Sequence, residues 1–494
     1  MTNIKTKTST LLLLLPGLLG GEVIAENLTL EAFFNDVQQD HPFFKKEALN
    51  PKIIKSQRSA LLGAEDWRLS ATTSFAHEES GLSTALMPEK SNYTNVDLSL
   101  NRSVWKTGGQ FSVAYATTRS SQDYATGNIK NYQNTVKAQY VHPLMKNVNG
   151  ILSRLNYDLQ NYHVQNAEIS NLEARENFLA SLGDKFLGWK LQTELVRISQ
   201  ERVTISETEF ERSKRKRADN LIPKVDVIRS ETALLRARQG LQRAKTDLAV
   251  VVRELSVLSN NRKLSSSRPS YDLYRIQRLP SQEIVSQQVE LQSRLIKMYE
   301  VLLTQQNYQH TGLQNGEKPE LNLIASAGLL GSDSDLGSSA AIDKPQYSLA
   351  LNFNYPLGNR SAKAKLDQSH LRKMQLQEEK MDLILTLQSS AAAILEQLTQ
   401  LEMTLSLNKE QIARSEQKTK EELRRYNQGR SELTFVLQSR DEEQQAKISH
   451  AVTAATYHKV YLQYRALMDE LVENNTQNNS NDTLNTNAKD SEGA

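Results

Sequence analysis

Apolar residues along this chain recur in two rhythms, and the two alternate twice. Between Gly150 and Arg217 there is no proline, and Leu179, Leu182, Phe186, Trp189 and Val196 recur at steps of three, four and seven. Between Asn359 and Asn427 the same rhythm runs through Ile384, Leu387, Ala391, Ile394, Leu398, Leu401, Leu405 and Ile412. Such spacing draws one apolar stripe along a helix and marks a coiled-coil seam. Each stretch predicts a helix of about 100 Å at ~1.5 Å per residue. Returning helices follow, from about Val225 to Leu258 and from Leu433 to Leu471. Asn220 to Pro223 and Gln428-Gly429 punctuate the two hairpins, with Pro223 and Gly429 as the turn residues.

Ahead of each long helix the period drops to two. Leu321, Leu323, Ala325 and Ala327 share one face of a predicted strand, and Tyr347, Leu349, Leu351, Phe353 and Tyr355 share one face of its partner. Asn322, Ser326, Ser348, Asn352 and Asn354 take the other face, and the Gly, Ser and Asp-rich stretch 331–344 reads as an exposed loop. Earlier in the chain Val96, Leu98 and Leu100 alternate with polar residues, as do Phe111, Val113 and Tyr115 after Gly108-Gly109, and then Val136, Ala138 and Tyr140. Tyr93, Tyr132, Tyr347 and Tyr355 stand near strand ends. Taken alone, period-two alternation points first to an ordinary half-buried sheet and also permits a membrane barrel wall.

The order of helix, strands, Pro-Leu, long helix, turn and helix occurs twice, which points to an internal duplication. Phe43 and Leu295, like Leu69 and Leu321, are 252 residues apart. The spacing is 213 between Pro143 and Pro356, then 209 between Val225 and Thr434. The first copy therefore holds 39 extra residues among its strands, enough for one more β-hairpin. The later change of four residues is about one helical turn.

Composition supports long helices over several compact cores. The 494 residues are 38% hydrophobic and 6% aromatic, with 20 glycines, 11 prolines and no cysteine, and mean hydropathy is −0.55. Disulfides, thiolate metal sites and a cysteine nucleophile are excluded. A net charge of +3 gives no global attraction to polyanions. Lys5 and Lys7 precede the apolar stretch Leu11 to Leu19 and the small or apolar Val23-Ile24-Ala25, the order of a secretory signal peptide. No stretch is long enough for a spanning helix, so any entry into a bilayer must be as a closed β-barrel. The expected organisation is a signal peptide over 1–25, a first repeat over 26–259 with strands at about 69–144, and a linker over 260–280. A second repeat over 281–472, with strands at 320–356, and a disordered polar tail over 473–494 complete it.

These landmarks resemble the TolC-like outer membrane efflux protein family. The resemblance runs from Leu28-Thr29-Leu30-Glu31 to about Leu471. It includes His142-Pro143-Leu144 and Tyr355-Pro356-Leu357, then Arg425-Tyr426-Asn427-Gln428-Gly429 with Leu433-Thr434-Phe435-Val436-Leu437. It implies a mainly α fold with a membrane β-barrel, the barrel of a homotrimer continuing into a periplasmic α-helical barrel. It also implies outer membrane lipid around the barrel, a periplasmic adaptor at the helical tips and, through it, an inner-membrane pump. The channel serves drug efflux or type I secretion, catalyses nothing and needs no cofactor. Two or three strands per copy cannot close a barrel in one chain, so closure calls for several chains. Members of the family commonly supply four strands per protomer, whereas this chain carries six; the extra hairpin either joins the wall or folds outside it.

The resemblance also puts acidic residues at the closed periplasmic end. Asp226 falls on such a position, but Phe435 and Gln438 stand at the corresponding places in the second copy, predicting a more apolar constriction that favours cations less. Arg212, Lys214, Arg215, Lys216 and Arg217 form a basic run before the first turn. In an exported protein this is a solvated helix face or an adaptor-contact or entrance patch rather than a nucleic-acid site. The eight histidines show no metal-ligand spacing, and His450 and His458, eight apart on a helix, read as a surface pair. There is no HExxH, P-loop or GxGxxG, and Glu78-Glu79 and Asp333/Asp335 lie in polar segments. An exported enzyme is disfavoured accordingly. A periplasmic coiled-coil adaptor is the alternative, disfavoured because such a protein needs only one helical hairpin.

Overall fold

The computed structural model describes residues 27–80 and 86–472. The expected signal peptide and polar tail lie outside the described residues. In chain order the strands are β1 (Asn27–Leu28), β2 (Arg68–Glu79), β3 (Lys90–Val104), β4 (Gly109–Tyr124), β5 (Gly127–Pro143), β6 (Arg268–Pro269), β7 (Glu320–Asp333) and β8 (Lys344–Asn354). The helices are α1 (Leu30–Asp40), α2 (Pro42–Ala60), α3 (Ile151–Ala218), α4 (Lys224–Leu258), α5 (Gln282–Gln292), α6 (Arg294–Glu317), α7 (Leu336–Ser339), α8 (Arg360–Asn427) and α9 (Leu433–Leu467). They form two compact units. One comprises the described residues up to His41 with Ser181–Ile276 and Leu401–Lys459; the other comprises Pro42–Ala180, Gln277–Gln400 and the described residues from Val460.

The helices match residue for residue. α3 and α8 each have 68 residues, and α4 and α9 each have 35. Left-handed backbone recurs at Asn149 and Gly358, Gly150 and Asn359, Asn220 and Gly429, and Asn260 and Asp469, every pair 209 positions apart. The turns at the ends of α3 and α8 use one bonding scheme. The Leu221 N–H donates to the Lys216 carbonyl at 2.8 Å, and the Arg430 N–H donates to the Arg425 carbonyl at 2.9 Å. These bonds satisfy carbonyls that a helix end would otherwise leave without partners. The four-residue change in spacing is therefore not a turn of helix. It lies wholly in the junction between Pro143 and Gly150.

Burial follows the seams with one drift. Leu179, Leu182, Phe186 and Trp189 are buried in α3, and Leu387, Ala391, Leu398 and Leu405 in α8. Leu395 is buried where the strict spacing selects Ile394. A straight helix turns 3.6 residues per cycle, so a 3.5-residue stripe drifts to the neighbouring position. In the first unit, Thr29 caps α1 by accepting from the Ala32 N–H, and Phe33 stacks on Phe186 at 5.4 Å. His458 departs from the expected surface pair: it is 1% exposed. The segment after β6 folds onto α9, where the Tyr271 hydroxyl lies 2.9 Å from His458 Nδ1 and His458 Nε2 lies 3.1 Å from the Leu273 carbonyl. Burial lowers the pKa of His458, consistent with a neutral ring donating from Nε2 and accepting at Nδ1.

The second unit holds a six-stranded antiparallel sheet in the order β2-β3-β4-β5-β7-β8. The first copy supplies four strands and the second supplies two, a difference of one hairpin. In the same unit, Arg294 at the start of α6 is 3% exposed and gathers three carboxylates, of which Glu176 is buried. Its guanidinium lies 3.1 Å from Glu176 and 3.7 Å from both Glu173 and Asp469, and donates to the carbonyls of Asp469 and Val472. Glu176 also accepts the N–H groups of Leu471 and Val472 at 2.7 and 3.0 Å. Sequence reading passed over this cluster, because carboxylates three apart on α3 look like any solvated helix face.

Burial, and then the charge of Asp469, push Glu173 up to about 7, against the pull of Arg294. The folded state therefore holds a proton that the unfolded chain has released above about pH 4.5. The stability this lends is complete below that pH and is lost as pH rises through 7. We expect Glu173→Gln to raise the unfolding temperature at pH 8 and to change it little at pH 4.5, followed by circular dichroism. Equal shifts at both pH values would show that Glu173 is not the titrating group.

Candidate functional site

The hairpin turns of the first unit bring every singled-out tip residue into view. Pro223 precedes α4 in extended conformation, with its carbonyl accepting the Asp226 N–H at 3.1 Å. Asp226 sits in the first turn of α4, where the helix dipole favours a carboxylate. It is buried, and Arg229 one turn later lies 3.1 Å from it. Asp226 thus carries its own counter-ion, while Asp219 and Glu432 stand exposed beside the two turns. Phe435, at the matching place in α9, is 54% exposed. Leu221, Val225 and Ile228 are exposed beside the first turn. Gln438 is also exposed, and its amide donates to Glu442 at 3.1 Å.

The members of the basic run take different partners. Lys214 pairs with Glu211 at 3.0 Å and lies over the Phe210 ring. Lys216 reaches α8, donating to Asn427 at 3.1 Å with its ammonium 4.3 Å from the Tyr426 ring centre, and burial lowers its pKa. Arg217 donates to the Ile222 carbonyl at 3.3 Å. Arg215, Lys216 and Arg217 occupy the last turn of α3, where positive charge complements the helix dipole. Lys216 thereby ties one hairpin to the other.

Behind the turns lies a denser ionic layer that sequence reasoning missed. Arg202 donates to Ser206 and Asp441, Arg440 to Glu209 and Glu443, and Lys447 to Glu201 and Glu443. Burial opposes ionisation of Glu443, yet Lys447 and Arg440 hold its carboxyl below the usual range. These charges come from α3 and α9, far apart in the chain, so no local spacing announces them.

In the second unit the sheet is the feature of interest. Residues opposed across an antiparallel ladder share a face. Leu69, Leu100, Val113, Ala138, Ala327 and Tyr347 form one row across all six strands, and Ala71, Leu98, Tyr115, Val136, Leu329 and Pro345 form the next on that face. On the opposite face one row reads Arg68, Asn101, Ser112, Gln139, Ser326 and Ser348. The apolar face is uncovered, with Tyr347 81% exposed and Leu349, Leu351 and Phe353 also exposed. From Leu321 to Leu329 it extends about 27 Å along β7 at ~3.4 Å per residue, or about 21 Å tall at a tilt of ~40°, close to the apolar band of a membrane barrel. Polar groups close its far end: Tyr115 donates to Asn134, and Asn134 donates to Ser339 of α7. Tyr132 and Tyr347 lie on the apolar face, whereas Tyr93 lies on the polar one and accepts from Gln122. Among the described residues no helix is long and apolar enough to cross a membrane, and no group of three or more histidines and acids could hold a metal ion.

No protein-family model matches the chain, and no curated protein matches it in sequence. Solved structures match over nearly all of it. A membrane protein from Pseudomonas aeruginosa aligns with a TM-score of 0.65 at 14% identity, covering 91% of this chain and 93% of that one. The outer membrane protein VceC from Vibrio cholerae gives 0.63 at 11% identity, covering 89% and 96%. The Campylobacter jejuni CmeC outer membrane channel gives 0.62 at 12%, covering 93% and 89%. The chain has the fold of these membrane proteins, mainly α with a β-sheet portion.

Gly429 and Asn220 occupy the same left-handed position, with φ of 71° and 58°. Gly429→Ala should weaken its turn by about 1 kcal/mol, while Asn220→Gly should leave the matching turn intact or tighten it. Hydrogen exchange at the Arg430 and Leu221 amides reads each turn separately. Faster exchange of Leu221 in Asn220→Gly would refute the equivalence.

Proposed function

We propose that three copies of this chain form an outer membrane channel, an exit duct for substrates delivered through a periplasmic adaptor by an inner-membrane pump. The main support is the uncovered apolar face carried in register across all six strands. Such a face suits lipid, and the opposite row of serine, asparagine and glutamine suits a water-filled lumen. The fold shared with outer membrane channels supports the same reading. The chain conducts and does not catalyse; drug efflux and type I protein secretion both fit.

The tips supply the proposed gate. Leu221, Val225, Ile228 and Phe435 give it an apolar lining, and Arg229 offsets Asp226, so Asp226 itself adds little cation preference to the constriction. Lys214 to Arg217 are the proposed adaptor contact or entrance patch.

Protein extracted from membranes in detergent should have about three times the mass of one chain by light scattering and should give discrete conductance steps in a planar bilayer. A soluble monomer or dimer without conductance would favour the adaptor alternative. In a salt gradient, Arg229→Ala should move the reversal potential towards cation preference by freeing Asp226. Strong cation selectivity in the unaltered channel, lost in Asp226→Ala alone, would overturn the apolar gate. Adaptor affinity that survives neutralisation of Lys214 to Arg217 would remove the docking role.

A further inference from the structure

The two edges of the sheet are the strongest unassigned feature in the molecule. β2 and β8 end the strand order, and both are exposed along their whole length. Neither edge has a further strand beside it among the described residues. Sheets that stay single blunt their edges with charge, proline or bulges in mid-strand. Here those devices sit only at the ends. β2 carries Arg68 at one end and Glu78 and Glu79 at the other, and β8 carries Lys344 and Pro345 at its start. Between them, Leu69–His77 and Gln346–Asn354 are uncharged if the histidine is neutral, and of equal length.

We infer that β2 of each chain pairs antiparallel with β8 of a second copy, making the β3–β4 hairpin part of one continuous wall of eighteen strands; this rests on the three-copy channel proposed above. Direction permits the seam. Six strands alternating up and down begin with β2 leaving the helices and end with β8 returning, so neighbouring copies meet antiparallel. Facing permits it too. Leu69, Ala71 and Phe75 continue the apolar face that Tyr347, Leu349 and Leu351 carry on the other edge. One chain cannot close on itself, since even the small barrels need about eight strands.

The hairpin is built into the sheet and is not appended to it. β3 pairs with β2 along twelve positions and β4 pairs with β5 along fifteen. Its turn is held from the junction ahead of α3, where Asn147 donates from Nδ2 to the Gly108 carbonyl at 3.0 Å. The Asn147 side-chain oxygen accepts the N–H groups of Leu152 and Ser153 at the start of α3. A Cβ on Gly150 would lie 1.6 Å from the Trp105 carbonyl, so the turn rests directly on that junction. Asn147 lies within the four residues by which this junction outruns its counterpart in the second copy. The two surpluses of the first copy thus serve one another. Eighteen strands at ~4.8 Å spacing and ~40° tilt enclose a ring about 36 Å across between backbones, 1.5-fold wider than twelve strands would.

The chain has no cysteine, so introduced thiols are the only ones present. Ser70→Cys or Ser74→Cys, each combined with Ser348→Cys or Asn352→Cys, places both thiols on the polar face. Oxidised in membranes, at least one pair should give a ladder of linked chains up to three on a non-reducing gel. Ser70→Cys with Leu349→Cys, on opposite faces, should give none. Ser70→Cys with Gln139→Cys tests the competing arrangement. In the six-stranded order these positions are about 16 Å apart, beyond disulfide reach, whereas a hairpin lying outside the wall would bring β2 against β5. Light scattering of each reduced variant checks assembly. A three-copy assembly that forms the Ser70–Gln139 link within one chain, or links β2 to β8 within one chain, or links β2 to β8 in none of the four pairs, overturns the eighteen-strand wall and leaves the channel standing. Absence of any assembly from the unaltered protein removes the channel reading itself.

Discussion

A β-strand placed in hydrocarbon must find a partner for every backbone N–H and carbonyl, because lipid offers none. In the proposed channel that demand falls on this chain's sheet. Its sheet displays leucine, phenylalanine and tyrosine on one face, which suits lipid, yet ends in two strands whose outer bonding groups are open. Neither property makes sense alone. An apolar face without closure would leave backbone stranded in the bilayer, and closure without the apolar face would need no bilayer.

The same economy of partners governs the helices. A long amphipathic helix has few local means of ending, and each of the four long ones here stops with left-handed backbone or at a sharp turn. Asn220 and Gly429 solve one problem in two ways, an amide side chain tolerating a conformation that glycine adopts freely. Buried charge is treated differently in the two units: Arg294 gathers Glu173, Glu176 and Asp469, whereas Glu443 is shared between Arg440 and Lys447. Around Arg294 one carboxyl, Glu173, keeps its proton to near-neutral pH.

Much of this was legible in the residues. The long helices declared themselves because a stripe at three and four spacing over 68 residues has no other outlet, and the turns because proline and glycine punctuate them. The extra hairpin could be counted from a change in spacing. What remained hidden depended on contacts between distant segments. His458 looked like a surface residue because nothing in its own helix shows that Tyr271 and Leu273 will cover it. Asp226 could be placed at the tip from its position, but its neutralisation by Arg229 depends on which way one flexible side chain turns. The four-residue surplus looked like helix because a turn of helix is the commonest use of four residues. Its place ahead of α3 follows from Asn147, whose two roles cannot be read from a single strand or helix.

The pairing of opposite strand directions at every step has a consequence for descent. One added strand would leave two neighbours running the same way, and a tight turn cannot connect those. Change in such a sheet is therefore confined to whole hairpins. In an assembly of three identical chains, each hairpin gained or lost alters the circumference by six strands at once, about 38 Å at ~4.8 Å spacing and ~40° tilt. Bore would then vary between lineages in large steps with nothing in between. A duplicated gene that lengthens one copy by a single hairpin, and supplies an asparagine to hold its turn, takes one such step without disturbing either pair of helices.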